Sequence, residues 1–318
     1  MPSLPLRPSD IGRLVTVRAV TRVGPVTVVG TLVAVSADEI VVRRRDGVGV
    51  QLDVTNVTHA RVVPPSPAQR IPVADLERLM LDGWRARETE RLGGWVLRAT
   101  RGFTRRANSG LPLGDPGVAL DEALAAVEAW YDARALPPRL QLPAGVPDGD
   151  ALAAPLRARG WTPDVAVHVM TAGLGPVVRS AIGSVEVRLD PVPDDAWLAA
   201  YRRDGGPLPP VARELLTNHP QAVFASVRDG AECLAVARAT VDGRWAGLFA
   251  VEVAPTHRRG GLARAVSVEA LRWAVRQGGR HAYLQAEVGN DAAVSLYTTL
   301  GFTVHHDYEH HVRLDPAG

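Results

Sequence analysis

The sequence predicts a mixed α/β protein preceded by a small all-β module, and three observations carry that prediction. Residues 9 to 63 contain only short β-patterned runs broken by turn residues. Residues 184 to 314 read as hairpin-connected strands followed by β-α-β-α-β, the order of a mixed sheet covered by helices. Residues 72 to 172 pass through a similar but less complete order.

In the N-terminal module the runs Leu14 to Val20, Val28 to Val35, Ile40 to Arg44, Val48 to Val54 and His59 to Val63 read as strands. Gly24-Pro25, Ala37-Asp38 and Asp46-Gly47 punctuate them. Five short strands in this space predict a small antiparallel barrel, similar to SH3-like or Sm-like barrels, over residues 1–66. Pro64-Pro65-Ser66-Pro67 follows as a stiff linker.

The middle segment, 71–175, begins with a helix over Ala74 to Arg87, its core face set by Leu76, Leu79, Met80 and Trp84. Strand-like pieces lie at Trp95 to Arg98 and Phe103 to Arg105, and a helix runs from Leu120 to Arg134. A strand at Arg139 to Leu142, a helix at Asp150 to Arg159 and a strand at Val165 to Met170 complete it. Arg105-Arg106-Ala107-Asn108-Ser109 reads as a solvated hairpin, or else as part of a cleft wall.

In the last segment, 181–318, strand Val185 to Leu189 precedes helices near Asp194 to Tyr201 and Val211 to Asn218. Strands follow at Ala222 to Arg228, Cys233 to Thr240 and Trp245 to Val253. A helix over Leu262 to Arg276 is closed by Gly278-Gly279. Strand His281 to Val288, helix Asp291 to Leu300 and strand Thr303 to Leu314 end the chain.

The chemistry concentrates where strand 245–253 meets helix 262–276. Pro255 stops the strand, and Arg258-Arg259-Gly260-Gly261-Leu262-Ala263-Arg264 opens the helix, whose Leu262, Val266, Ala270 and Trp273 form one buried face. The first amides of a helix have no intrahelical partner, and the helix dipole is positive there. With two arginines and two glycines that admit a close approach, this is a pyrophosphate site in outline. Taken alone, the same loop is equally a tight strand-to-helix turn with solvated arginines. Thirty residues beyond Gly260 a second piece follows: Asn290 starts a helix, and Tyr297-Thr298-Thr299-Leu300-Gly301-Phe302 closes it.

The two pieces together resemble motifs A and B of the GNAT (GCN5-related) N-acetyltransferase superfamily. Motif A is matched by Val253, Pro255, Arg258, Gly261 and Ala263, and motif B by Asn290, Ala293, Leu296, Tyr297, Gly301 and Phe302. Aligning Gly160-Trp161 with Gly301-Phe302 places Leu156 where Tyr297 stands, and no phosphate loop precedes helix 120–134. The middle segment therefore resembles a GNAT lobe that has lost phosphate binding and the acid. The expected fold is a mixed α/β GNAT sheet in tandem, one degenerate and one active lobe, behind the barrel. The whole order resembles bacterial histone-acetyltransferase-like GNAT proteins with an N-terminal SH3-like domain.

The resemblance implies acetyl-CoA as cosubstrate, with its pantetheine on main-chain groups of Val251 and Val253 and its pyrophosphate on the amides of Arg259 through Arg264. It implies that Asn290 holds the cofactor arm and that Tyr297 protonates the departing thiolate. A backbone N–H near Val253 is the candidate donor to the developing oxyanion. Glu252 is the first candidate general base and Glu287 the second. The implied acceptor is a primary amine, on a small molecule or a protein. A noncatalytic CoA-binding or nucleic-acid-associated regulator is the alternative reading.

Composition bounds the rest. All 36 basic residues are arginine, which excludes a Walker A lysine, a Schiff-base lysine and a Ser-x-x-Lys nucleophile. Cys233 is the single cysteine, so neither an internal disulfide nor a thiolate metal cluster is expected. The missing signal peptide and membrane-length apolar run lead to the expectation of a cytoplasmic protein with no membrane contact. Residues 1–70 carry 9 arginines against 5 acids, including Arg43-Arg44-Arg45, but contain no aromatic on which a base could stack, which argues against nucleic acid. His305-His306-Asp307-Tyr308-Glu309-His310-His311 alternates its histidines between strand faces, so exposed histidines are expected there rather than a metal site. The oligomeric state, a homodimer included, is left open.

Overall fold

The computed structural model describes residues 6–44, 47–64, 66–201, 206 and 208–314, with Asp148 described by its backbone alone. Residues 1–5, Arg45 of the basic run, Asp46 of the 46–47 turn and Pro65 of the linker lie outside the described residues. Two compact units emerge, 1–70 and 71–318.

The first unit is an antiparallel sheet of β1 (Leu14–Thr21), β2 (Gly24–Val35), β3 (Glu39–Arg44), β4 (Gly49–Asp53) and β5 (Val57–Val62), ordered β4-β3-β2-β1-β5. Alternation sends Val15, Val17, Val28, Leu32, Ile40, Val42, Leu52 and Ala60 into one core. A 3-10 turn at Val54–Asn56, capped by the Asp53 carboxylate on the Thr55 amide, returns the chain so that β5 pairs with β1. No hydrogen-bonded pairing joins β4 to β5 among the described residues, so the sheet has the expected strands without a closed ring.

The second unit opens with α1 (Val73–Gly83), which buries Leu76 and Met80 one turn apart. It stops at Gly83, short of the expected Arg87, where a Cβ would meet the Tyr283 hydroxyl at 1.9 Å. The sheet β6 (Glu88–Leu92), β7 (Trp95–Ala99) and β8 (Leu111–Pro112) follows. The sequence does not announce β6: all its side chains but Leu92 are polar and exposed, and backbone pairing to β7 makes it a strand. The strand expected at 103–105 is absent; Thr104 has φ 64°, which a strand cannot accommodate.

Then come α2 (Leu120–Asp132), β9 (Arg139–Pro143), α3 (Pro147–Ala158), β10 (Thr162–Gly173) and α4 (Leu174–Val178). The rest is β11 (Arg188–Asp190), α5 (Asp195–Ala200), α6 (Pro210–Thr217), β12 (Ala222–Asp229), β13 (Glu232–Asp242), β14 (Trp245–Val253), α7 (Leu262–Arg276), β15 (His281–Glu287), α8 (Asp291–Leu300) and β16 (Thr303–Val312). These strands make one eight-stranded sheet, ordered β11-β12-β13-β14-β15-β10-β16-β9.

That order shows an internal repeat with exchanged strands. β9-α3-β10 and β15-α8-β16 are equivalent strand-helix-strand units, and each long final strand is inserted beside the other unit's first strand. The helix ends match atom for atom. Phe302 N–H donates to Tyr297 O and Gly301 N–H to Thr298 O, while Trp161 N–H donates to Leu156 O and Gly160 N–H to Arg157 O. Both glycines are left-handed, completing a Schellman closure at each end. Leu156 thus occupies in the first unit the place that Tyr297 has in the second. Because the strands interleave, segments 71–175 and 181–318 share one compact unit instead of forming two separate bodies.

Helices α7 and α8 cover one face of the sheet, and α1, α5 and α6 the other. A buried polar chain ties the halves together: Glu77 accepts from Gln141 Nε2 at 2.8 Å and lies 2.9 Å from His306 Nε2, and Arg98 donates to Gln141 Oε1 at 3.0 Å. The histidines of β16 are therefore not exposed as expected. His306, His310 and His311 are buried, because β9 and β10 flank β16 and make it an interior strand.

Two outcomes follow from this packing. Residues 181–318 expressed alone lose both neighbours of β16 and one of β15, so they should show molten-globule spectra by near-UV circular dichroism, with native spectra restored on co-expression with 71–175. Burial holds the imidazoles of His310, His305 and His311 below their usual value. Their stabilisation is complete above the unfolded histidine value of about 6.5 and is lost as pH falls below it, because unfolding then takes up protons. Urea midpoints should fall on acidification, and His310→Gln should flatten the slope by up to ~1.4 kcal/mol per pH unit.

Candidate active site

The site begins as a defect in the sheet. β14 pairs in parallel with β15 only from Trp245–His281 to Leu248–Leu284. Beyond that point β14 stays with β13 and β15 with β10, and a gap opens between them. A bulge lies at the divergence: two residues of β14, Ala250 and Val251, oppose the single Ala237 of β13, and Ala250 has φ 53°. Past the bulge the Ala254 amide donates to Leu234 O on β13. Backbone alternation then turns the polar groups of Glu252 toward β13 and those of Val251 and Val253 toward the gap. Arg258 Nε reaches Val253 O at 3.4 Å from that side.

The loop after β14 makes a short 3-10 turn at Pro255–His257 and passes through Arg259 at φ 63° and Gly261 at φ 80° before α7 starts. No side chain caps α7, so its first amides, including those of Leu262, Ala263 and Arg264, carry no capping partner. Arg258, Arg259, Gly260 and Gly261 are exposed. Uncapped amides, a positive helix end and nearby arginines fit a diphosphate, and the open edge of β14 fits an amide-bearing arm.

A cleft of about 920 Å³ runs through the gap. Tyr297 and Ala293 of α8 line it from the α7–α8 face of the sheet; Trp84, Phe103 and Phe249 line it from the α1 face. Tyr297 is 7% exposed and packs edge-on against Phe302 at 5.9 Å. Burial raises its phenol well above the usual value; the Ser267 hydroxyl opposes the shift and the Glu252 charge adds to it. Glu252 lines the cleft and lies 3.5 Å from Arg258 Nη2. Glu287 lines it too, 3.7 Å from Arg105 Nη1. Asn290 sits at the rim, and its Oδ1 accepts from the Ala293 amide at 3.1 Å as the cap of α8. The structure thus brings Val251, Glu252, Glu287, Asn290 and Tyr297 to one cleft, with the 258–264 loop following directly on β14.

The segment 101–106 forms the opposite wall. Of the two readings of 105–109, the cleft wall describes Arg105 and Arg106, and the solvated hairpin fails because Ala107, Asn108 and Ser109 are buried; sequence reasoning missed Arg101 to Thr104. Asn108 organises this wall, accepting from the amides of Thr100 and Gly102 and donating to the carbonyls of Phe103 and Thr104. Trp84 Nε1 adds a bond to Thr104 Oγ1 at 3.1 Å. These bonds hold Arg101 and Thr104 at φ 48° and 64°. The one signal available was Arg238, a lone charge inside the apolar run Cys233 to Ala239; it lies fully buried below Trp84 and Phe249. Among the described residues no three His, Cys, Asp or Glu side chains converge on a metal position, and no helix is long and apolar enough to cross a membrane.

This fold, with its parted strands and uncapped helix, is that of GNAT acyltransferases, and comparison with known proteins is specific. Residues 72–311 match the family model for "Probable histone acetyltransferase Rv0428c C-terminal". The probable histone acetyltransferase Rv0428c of Mycobacterium tuberculosis (strain ATCC 25618 / H37Rv) is 32% identical over 96% of this chain and 95% of its own. The uncharacterized N-acetyltransferase YobR of Bacillus subtilis (strain 168) is 28% identical over 76% of this chain and 98% of its own. A GCN5-related N-acetyltransferase structure from Kribbella flavida has the same fold, with TM-score 0.56 and 21% identity over 80% of this chain and 97% of that one. The chain belongs to the GNAT N-acetyltransferases, in the family of Rv0428c. It is an acetyl-CoA-dependent acyltransferase, and acetyl-CoA is its cosubstrate.

Asn108→Ala removes four hydrogen bonds at once, two buried and two partly buried. Each is worth about 0.5–1.5 kcal/mol net, so the substitution should lower denaturant stability by ~2–6 kcal/mol, measured by urea unfolding.

Proposed function

We propose that the protein transfers the acetyl group of acetyl-CoA directly to a primary amine within a ternary complex, with Tyr297 as general acid. The observation that carries this reading is Tyr297 itself: its phenol is buried at the cleft, beside the point where β14 and β15 part, and its environment keeps it protonated. The backbone of Val251 and Val253 would hold the pantetheine arm, and the amides from Arg259 to Arg264 the pyrophosphate. Asn290 would border the arm from the rim of the cleft.

In this scheme a neutral amine attacks the thioester carbonyl, the N–C bond forms and the C–S bond breaks. The departing sulfur takes its proton from Tyr297 Oη. The nitrogen gives up a proton to Glu252 directly or through water, with Glu287 as second candidate. Glu252 is taken first because it lies on β14, the strand that borders the gap, and lines the cleft. A β14 amide turned toward the gap, that of Val253, would donate to the carbonyl oxygen as charge develops on it.

Tyr297→Phe should lower kcat by about 10²–10⁴-fold while the acetyl-CoA dissociation constant moves less than ~2-fold; unchanged turnover refutes the acid role. Since burial raises the phenol, Tyr297 should stay protonated throughout the alkaline range below its usual value of about 10. The pH profile of kcat should then show no alkaline fall that the Phe variant abolishes within that range.

A further inference from the structure

One wall of the cleft is rich in arginine. Among the described residues Arg101, Arg105 and Arg106 line the cleft; its lining carboxylates, Glu252 and Glu287, lie 3.5 Å from Arg258 and 3.7 Å from Arg105, which also meets Asp164 at 3.0 Å. Arg101 is exposed and has no ion pair among the described residues. Below this wall Arg238 is 0% exposed and is held by carbonyls rather than by a carboxylate: its Nε donates to Leu216 O at 2.7 Å and its Nη1 to Gly83 O at 2.9 Å. Its guanidinium lies 5.3 Å from the ring centroids of both Trp84 and Phe249, and Arg106 lies over the same rings at 5.2 and 5.5 Å.

Two guanidinium groups thus share one pair of aromatic rings at the cleft floor. Burial lowers Arg238 to about 10, so it remains charged at neutral pH. Asp242, the acid whose charge reaches it, is already paired with His219 at 3.1 Å. Carbonyl dipoles satisfy the hydrogen bonds of Arg238 and leave its net charge in place, and a low-dielectric cleft focuses such a field. The wall above it is preorganised, since Asn108 fixes Arg101 and Thr104 in left-handed conformations.

We propose that the acceptor is a small amine carrying an oxyanion, a carboxylate or a phosphate, gripped by Arg101 and Arg106, and not a polyamine or a lysine-rich protein. The inference rests on the transfer reaction proposed above. An oxyanion suits the planar fork of arginine, while a second cation in this field is repelled. The same positive charge favours the neutral form of the amine, the form that attacks.

The test is steady-state kinetics with the full chain and acetyl-CoA, read by thiol release and by mass of the acetylated product. The panel holds amino acids, aminoalkyl phosphates, neutral amines such as glycinamide and amino sugars, and the cations spermidine and a lysine-rich peptide. The anionic amines should give kcat/KM ~10–100-fold above their neutral counterparts, and the cations should be poorest. Amino acids against aminoalkyl phosphates decide which oxyanion is taken. Arg101→Gln, a surface change that spares the core, should raise KM for the anionic amine about tenfold or more and that for a neutral amine less than ~2-fold. A preference for spermidine or the peptide overturns the inference while the transfer reading stands. A rise confined to the KM of acetyl-CoA in Arg101→Gln overturns it too. If acetyl-CoA binds and no amine in the panel is acetylated, the transfer reading falls and this inference with it.

Discussion

Everything chemical in this molecule depends on two parallel strands that stop pairing after four residues. An interior strand normally spends its polar backbone on both neighbours, and an amide left buried without a partner costs roughly 1–3 kcal/mol. β14 escapes that penalty because the bulge at Ala250 turns it away from β15 and opens the unpaired edge to a cleft. The strain of a non-glycine residue at φ 53° is the cost of that opening. In return the fold presents a strand edge and a buried phenol at one cleft, and a helix start without a cap next along the chain. Each of these would be a fault in a closed sheet.

Opening a sheet at its centre removes cohesion, and the exchanged strands restore it. β10 holds β15 along its other edge, opposite the gap that β14 leaves, and β16 is clasped between β10 and β9. The half of the repeat that carries Leu156 in place of Tyr297 therefore supplies both neighbours of β16 and one of β15. The buried chain from Arg98 through Gln141 and Glu77 to His306 crosses between β7, β9, α1 and β16. Polar side chains that must all be satisfied together admit one register only, so this chain also fixes how the strands interleave.

Charge divides the cleft as geometry divides the sheet. On the α8 face the phenol of Tyr297 is neutral and buried. On the other face two guanidinium groups lie against Trp84 and Phe249, one of them fully buried without a carboxylate. A fixed positive field here acts on whatever enters from that side, whereas the 258–264 loop follows the far end of β14.

How much of this was legible depended on the range of the interactions. The bounds of α7 and α8 matched the expected 262–276 and 291–300, because amphipathic spacing, the Arg- and Gly-rich loop, the Asn290 cap and the Gly301 closure are local instructions. The same locality made Gly160-Trp161 recognisable as the counterpart of Gly301-Phe302. β6 was invisible, since a polar edge strand is defined by its partner and not by its own side chains. The histidines of β16 were misplaced on the surface for a related reason: alternation reports which residues share a face, and only the insertion of β16 between two distant strands decides that the face is buried. The arginine wall at 101–106 lies some 150 residues from β14 in the chain, and its left-handed backbone is imposed by Asn108 after folding. By itself, then, the sequence determined the helices, most strands and the uncapped Arg- and Gly-rich start of α7. The tertiary structure alone decided the exchange of strands, the parting of the sheet and the gathering of arginines at the cleft, because each arises from contacts between segments that no local pattern connects.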